Sequence, residues 1–505
     1  MPGDGPGPDL NLRAGPKINS SKSVDATGGA FHRQASTQYK VIDEAAYMFS
    51  DLAGRPINTN AYSDLPFTFL NQTVQIDLAN ITAINLIENG SREARERWQN
   101  RQLTNLLRHA QSHSKFWRQR MPSRMVNHGI MKYLPIQSRE DVATQCRLDG
   151  SLVARDGKTP VSSYASTGST GTPVKVFICP ENGYYNSLRG LAHYFINDLS
   201  LDENCVVISP STSLAELKKE SSPLALTNSW AGSLSAVFRN GSGKIIVHKY
   251  NDDVLIKELL KERIGYLVCP NRYLDILMNN GGVDLIKRLG IKLWLHNSDH
   301  RDPEIVKALE SIGVPTLSNY SAGEVGPIAY ECSRNQGYFH IAHTNVIVEC
   351  DNDVTVSFNG ASLGRILVTH LHSYATPIIR YDIGDFAQLE NQCRCGHDGP
   401  TISNIFGRGK HFVRRPDGKL LPFYLSTRAL LETIAFKECR IRQTEIDTIT
   451  VEIGGRENVT PDEEAKLKKL IIKATDPAFD IRIMPVKEID WSGNPKRLFF
   501  SSSVA

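Results

Sequence analysis

The stretch from Tyr164 to Val176 reads YASTGSTGTPVKV. Within it Gly168 and Gly171 are interleaved with the hydroxyls of Ser166, Thr167, Ser169, Thr170 and Thr172, and Lys175 follows closely. Glycines let a backbone approach a polyphosphate, and hydroxyls with amide N–H groups supply many hydrogen bonds to its oxygens. The run has neither the GxxxxGK[ST] spacing of P-loop ATPases nor the GxGxxG spacing of dinucleotide sites, so both of those chemistries drop in rank. The plain alternative is a Ser/Thr-rich surface loop, which gives no reason for two glycines, Pro173 and Lys175 in this order. A loop of this composition suits the triphosphate of ATP.

Around the loop, between about 150 and 405, short β-branched runs (CVVISP, KIIVHKY, IGYLVCP, IKLWLHN, RILVTHL) alternate with helical stretches such as DDVLIKELLKE and DPEIVKALESIG. That alternation predicts α/β layers with largely parallel strands. Upstream, Trp98, Leu103, Leu106, Leu107 and Ala110 are spaced for an amphipathic helix within Arg92 to Met121. Downstream of Phe406, the turn-rich GRGKHFVRRPDGK leads to a smaller unit that reads as helix STRALLETIAF, strand DTITVEIGG, helix PDEEAKLKKLIIKA and strand FDIRIMPV. Three segments are therefore expected: a flexible leader over 1–40, a large domain over 41–407 and a small domain over 408–505. The leader is assigned from its Gly, Pro, Ser and Asn content, which gives little apolar surface to offset the entropy of ordering.

The chain has 505 residues, 40% hydrophobic and 22% charged, and a formal charge of +4. This is globular composition with no bulk excess of cations for a nucleic-acid partner. No run approaches the roughly 18 apolar residues of a spanning helix, and the first residues lack a secretory pattern, so no membrane association and a cytoplasmic location are expected. The nine cysteines are scattered and odd in number, which favours reduced thiols with a metal site over a disulfide framework.

With these motifs on the page, the 164–176 run resembles the phosphate-binding motif of the adenylate-forming superfamily of acyl-CoA synthetases, adenylation domains and luciferases. The resemblance implies an α/β protein with a large multi-layer N-terminal adenylation domain and a small, mobile α+β C-terminal domain. Further motifs follow in the family's order. NYSAGEVG (319–326) is similar to its Tyr-Gly-x-Ser/Thr-Glu stretch, which implies that Tyr320 lies against adenine and Glu324 helps hold Mg2+. A carboxylate beside a triphosphate needs such a bridging hard cation. Ser321 and Gly323 depart from the pattern, and Gly323 lacks the hydroxyl expected there. HNSD (296–299) loosely resembles the adenine-wall segment, through Ser298 and Asp299. RYDIGD (380–385) implies that Asp385 accepts from both ribose hydroxyls, and GRGK (407–410) implies a nucleotide contact at Arg408 and a pivot at Lys410. WSGNPKR (491–497) is similar to the terminal loop whose lysine, here Lys496, reaches the carboxylate and the α-phosphate.

Within the superfamily, NLLRHAQSHSKFWRQRM, YLPIQSREDV, TPIIRYDIGD and Cys393-Arg394-Cys395-Gly396 resemble the phenylacetate–CoA ligases over roughly residues 95–500. Cys332 and His340 flank one short turn and Cys393 and Cys395 sit on another; three thiolates and an imidazole make a closed tetrahedral set for structural Zn2+. Buried thiols beside a hydrogen-bonded histidine are the alternative. Trp230, Leu234 and Phe238 fall where the family builds its acid pocket and equally suit core packing.

The resemblance thus implies activation of a carboxylic, by default aryl, acid with ATP and Mg2+ to an acyl-AMP, followed by transfer to a thiol, with coenzyme A the leading acceptor. Capture by an amine or a carrier protein is the alternative, and a noncatalytic nucleotide-binding protein is the reading from a different class. A homodimer is left open.

Overall fold

The computed structural model describes residues 72–122, 127–146, 153, 161–165, 174–209, 225–247, 252–297, 301–358, 361–407, 412–423, 425, 427–491, 500–502 and 504. The predicted leader, the loop residues Ser166 to Thr172, and Ser298, Asp299, Arg408, Lys410 and Lys496 lie outside them.

The chain enters through α1 (Gln72–Glu88), α2 (Arg92–His113) and α3 (Lys115–Arg120). The single amphipathic helix expected over 92–121 is two helices, because Ser114 ends α2 and its side chain caps α3 by accepting from the Trp117 N–H. After a short 3-10 turn come α4 (Arg139–Gln145), whose start is fixed by a Ser138–Asp141 capping box, and the hairpin β1 (Ser162–Ala165) and β2 (Lys175–Ile178).

Next follow α5 (Pro180–Ile196), β3 (Cys205–Ser209), β4 (Ala225–Ser229), β5 (Ser242–Val247), α6 (Asp252–Leu259), β6 (Tyr266–Cys269), α7 (Asn271–Leu289), β7 (Leu293–His296), α8 (Pro303–Glu310) and β8 (Thr316–Ala322). Strands β3, β5, β6, β7 and β8 pair in parallel. Successive β3 residues point to opposite faces: Cys205 and Val207 pack on the α1 and α5 side, while Val206 and Ile208 pack against α6, α7 and α8. Both faces are thus covered, which explains the unbroken apolar runs in the sequence.

From β8 onward the expectation of parallel strands fails. Strands β9 (Gly326–Cys332), β10 (Asn335–Ile341), β11 (Val346–Phe358), β12 (Ala361–His370), β13 (Tyr381–Glu390) and β14 (Thr401–Phe406) pair antiparallel. Their connections are too short for the crossover a parallel neighbour needs. All these strands except the β1–β2 hairpin form a sheet of order β11-β12-β13-β14-β10-β9-β8-β7-β6-β3-β5-β4.

The remaining elements are β15 (Phe412–Arg414), β16 (Leu420–Pro422), α9 (Thr427–Thr433), β17 (Glu438–Glu445), β18 (Thr448–Gly454), α10 (Pro461–Ala474), β19 (Asp480–Val486) and β20 (Phe500–Ser502). A separate sheet of order β19-β18-β17-β20 shares a core of Ile441, Val451, Leu467, Ile471, Ile481 and Phe500 with α9 and α10. None of the nine cysteines is in a disulfide, and no helix among the described residues is long and apolar enough to cross a membrane.

Candidate functional site

The predicted phosphate loop is the connection of an antiparallel hairpin, since Ala165 pairs with Lys175. Lys175 is exposed at the loop's end, its Nζ 5.4 Å from the centre of the Phe177 ring. α4 packs against β2 and β13 and so joins this hairpin to the strand that carries Asp385.

Glu324 sits on the turn of the β8–β9 hairpin, where Ala322 pairs with Gly326. Gly326 takes φ 80°, and a Cβ there would meet Asn186 Nδ2 at 2.7 Å, so both the turn and the packing require glycine. The Glu324 side chain is fully buried and its Oε1 accepts from Arg139 Nη1 and from the Tyr381 hydroxyl, each at 3.0 Å. In the RYDIGD run, Arg380 takes the left-handed φ of 48° and Gly384 one of 84°. Arg380 is held there by its N–H on Thr369 Oγ1 and its Nε on Glu349. Between the pairs Leu367↔Asp382 and Arg365↔Phe386 the register shifts, a bulge that re-aims Asp385.

Asp385 Oδ2 accepts from the Tyr320 hydroxyl at 2.7 Å, across 65 residues of sequence. Strands β8 and β13 are four positions apart in the sheet, about 19 Å if it were flat. The contact therefore requires the β8–β14 part to curl, and the Glu324–Tyr381 bond closes the same gap a second time. The backbone of Gly407, first residue of the GRGK run, lies beside them: a Cβ there would be 3.8 Å from Asp385 Oδ1.

Residues that the motifs alone did not single out complete the site. Arg139 and Tyr381 hold Glu324, although both lie inside stretches that marked the family, YLPIQSREDV and RYDIGD. Asn297 follows β7 at its carboxyl end, and Asn319 lies within β8 just after the last parallel pair His296↔Ser318, opposite Tyr330 of β9. Their buried Oδ1 atoms have no hydrogen-bond partner among the described residues. Strand ends of this kind are where open α/β sheets take ligands. Trp230 and Leu234, by contrast, are core residues packed with α1 and α5, and the Trp230 indole donates to the Glu203 carbonyl. Phe238 is partly exposed against Phe195.

The predicted metal set does come together. The donor atoms of Cys332, His340, Cys393 and Cys395 all lie within 4.8 Å of one another, and Cys395 Sγ is 3.4 Å from His340 Nε2. Four donors about 2.3 Å from a tetrahedral ion would be about 3.8 Å apart, so the set fits zinc after a shift of an ångström or less. Burial pushes the Cys332 thiol up to about 12 and the His340 imidazole, with His397 beside it, down to about 4. Burial also opposes ionisation of Cys393, but the Cys395 backbone and Asn335 more than offset it and hold that thiol below its usual value. The cluster ties the end of the β9–β10 hairpin to the β13–β14 connection, and both hairpins border the curled part of the sheet.

Tyr320→Phe keeps the ring and removes the bond to Asp385. A loss of about 1 kcal/mol of stability, the worth of one hydrogen bond, is expected from denaturant unfolding. Unchanged stability would mean that the Tyr320–Asp385 bond does not help hold the curled sheet.

No family model matches the sequence. Protein CapK of Staphylococcus aureus is 26% identical over 145 residues, so the match spans 28% of this chain and only 30% of that protein. Among solved structures, 2-hydroxyisobutyryl-CoA ligase in the postadenylation state with 2-HIB-AMP superposes with a TM-score of 0.58 at 14% identity, covering 80% of this chain and 89% of that one. The same ligase with R3-HIB-AMP gives a TM-score of 0.57 at 14% identity over 81% and 90%. With its large mixed sheet and curled antiparallel edge, this chain has the fold of the adenylate-forming ligases.

Proposed function

We propose that the protein is an AMP-forming acid ligase of the phenylacetate–CoA ligase-like kind. It joins a carboxylic acid, by resemblance an aryl acid, to AMP and passes the acyl group to a thiol, with coenzyme A as the acceptor. The observation that carries this reading is the Tyr320–Asp385 contact, reinforced by Glu324–Tyr381, which brings together two separated motifs. The adenylates bound in the superposed structures support the adenylate-forming part of this reading.

In this reading Ser166, Thr167, Gly168, Ser169, Thr170, Gly171, Thr172 and Lys175 hold the triphosphate. Tyr320 lies against adenine, and Asn297 and Asn319 offer amides to its polar edge, the pairing that Asn makes with adenine elsewhere. Ser298 and Asp299 border the same wall. Asp385 and Arg408 hold the ribose. Mg2+ on Glu324 neutralises phosphate charge when bound. Lys496 draws the acid's carboxylate and the α-phosphate together, a carboxylate oxygen attacks phosphorus, and pyrophosphate leaves. The chain from 408 onward then turns about Lys410, and a thiolate attacks the acyl carbon and expels AMP. The Cys332, His340, Cys393 and Cys395 set holds structural zinc that stiffens the curled edge.

Mass analysis of the products tests the acceptor. AMP with a CoA thioester supports this assignment, whereas AMP with an amide moves the protein to the amine-capturing ligases. ATP binding without pyrophosphate release across a broad panel of acids would make it a noncatalytic nucleotide-binding protein.

A further inference from the structure

Gln137 is 1% exposed, a burial that a primary amide tolerates only with its hydrogen bonds made. It lies just before α4 and forms an isolated parallel bridge with Tyr381. Its backbone N–H donates to the Arg380 carbonyl at 3.0 Å, and its carbonyl accepts from the Asp382 N–H at 2.9 Å. Any residue but proline could make those two bonds here. The side chain adds two that need a primary amide: Oε1 accepts from the Ile379 N–H at 3.1 Å, and Nε2 donates to the Pro377 carbonyl at 3.3 Å. The Pro377 carbonyl also accepts from the Trp117 indole at 3.1 Å, so Ile379 is the partner that loses its bond if the amide is removed.

The four bonds clamp the entry to β13. Tyr381 is the first residue of that strand and is fixed on one side by its pairing with Val368 of β12. Pro377 to Arg380 belong to no strand, and the chain turns at Arg380 with the left-handed φ of 48° that a residue with a Cβ rarely adopts. Gln137 binds on both sides of that turn. What it aligns is the grip on Glu324: Arg139, two residues beyond Gln137, and Tyr381, across the bridge, both donate to Glu324 Oε1 at 3.0 Å.

We infer that Gln137 is a positioning residue: its side-chain amide holds the entry to β13 so that Tyr381 and Arg139 converge on Glu324. Its effect on the reaction rests on the proposed function. Its effect on Tyr381 does not.

Gln137→Met keeps the length and the burial and removes both amide bonds. In protein labelled with fluorotyrosine, the fluorine NMR signal that Tyr381→Phe deletes reports the Tyr381 ring. That signal shifts in Gln137→Met. It stays in place in Gln99→Met, which also loses two bonds from a side-chain amide to backbone, at the His343 and Val346 carbonyls. In ATP–pyrophosphate exchange, Gln137→Met lowers kcat/KM about 10²-fold, the cost of misplacing a site by about an ångström. Tyr381→Phe alone lowers it roughly tenfold, and added to Gln137→Met it costs little more, because the hydroxyl has already left Glu324. Losses that multiply, or a Tyr381 signal unmoved by Gln137→Met, overturn the proposal. If Gln137→Met does not unfold cooperatively, Gln137→Leu carries the same measurements. A wild-type protein that neither exchanges pyrophosphate nor binds the nonhydrolysable ATP analogue AMPCPP removes the proposed function alone, since the fluorine signal still decides whether Gln137 places Tyr381.

Discussion

Lys496→Ala is expected to abolish acid-dependent ATP–pyrophosphate exchange, with a fall of about 10³-fold, while AMPCPP still binds within a few-fold of wild type. The size follows from the role proposed for the ammonium, which is to bring two anions into contact and balance the charge that grows as oxygen attacks phosphorus; losing one such group costs about 10²–10³-fold. The flanks of the loop fit this task. Trp491 stacks with Arg440, 5.2 Å from its guanidinium, and Phe500 pairs with Ile441. Both ends of the stretch that carries Lys496 are thereby fastened to adjacent residues of β17. Thioester formation from synthetic acyl-AMP should survive the substitution, because that step no longer joins two anions. Exchange at the wild-type rate in the alanine variant would take Lys496 out of the reaction.

The second large effect concerns the cysteine cluster. Protein purified under reducing, chelator-free conditions should carry equimolar zinc by plasma emission spectroscopy, and Cys393→Ser should carry far less. Loss of a structural zinc site removes several kcal/mol from the part of the fold it ties, so a fall in Tm of about 5–10 °C is expected. Cys439→Ser, whose thiol is buried in the small unit's core, leaves the zinc content unchanged. Wild-type protein with well under equimolar zinc would return the four residues to the alternative of packed thiols beside a histidine.

Much of this architecture could be read from the sequence, and the reason differs by region. The parallel strands β3 and β5–β7 lie between two covered faces and therefore stand out as apolar runs between amphipathic helices. The antiparallel edge reads as more of the same, because strands such as β12, with its RILVTHL run, are also buried almost continuously, and only the short connections exclude parallel pairing. α1 gives little local signal, because its sequence QTVQIDLANITAINLIE is rich in β-branched residues and Asn that favour helix weakly. It is held by tertiary contact, with Val74, Leu78, Ile81 and Ile84 in the core shared with α5.

The candidate site shows the same division. Tyr320, Glu324 and Asp385 could be named by the resemblance of NYSAGEVG and RYDIGD to family motifs, and the Tyr320–Asp385 and Glu324–Tyr381 contacts join those two stretches. Arg139 could not, because its importance lies in a contact made 185 residues away. The cluster of Cys332, His340, Cys393 and Cys395 was legible from residue chemistry alone, since thiols and imidazole on two polar turns have few other reasons to be there.

The central claim is that this fold activates an acid with ATP. The most direct test is ATP–pyrophosphate exchange by the full chain with Mg2+ across a panel of aryl and aliphatic acids. Exchange that depends on one class of acid, and that disappears in Lys496→Ala, is the predicted result. No acid-dependent exchange from a folded protein that binds AMPCPP would contradict the claim.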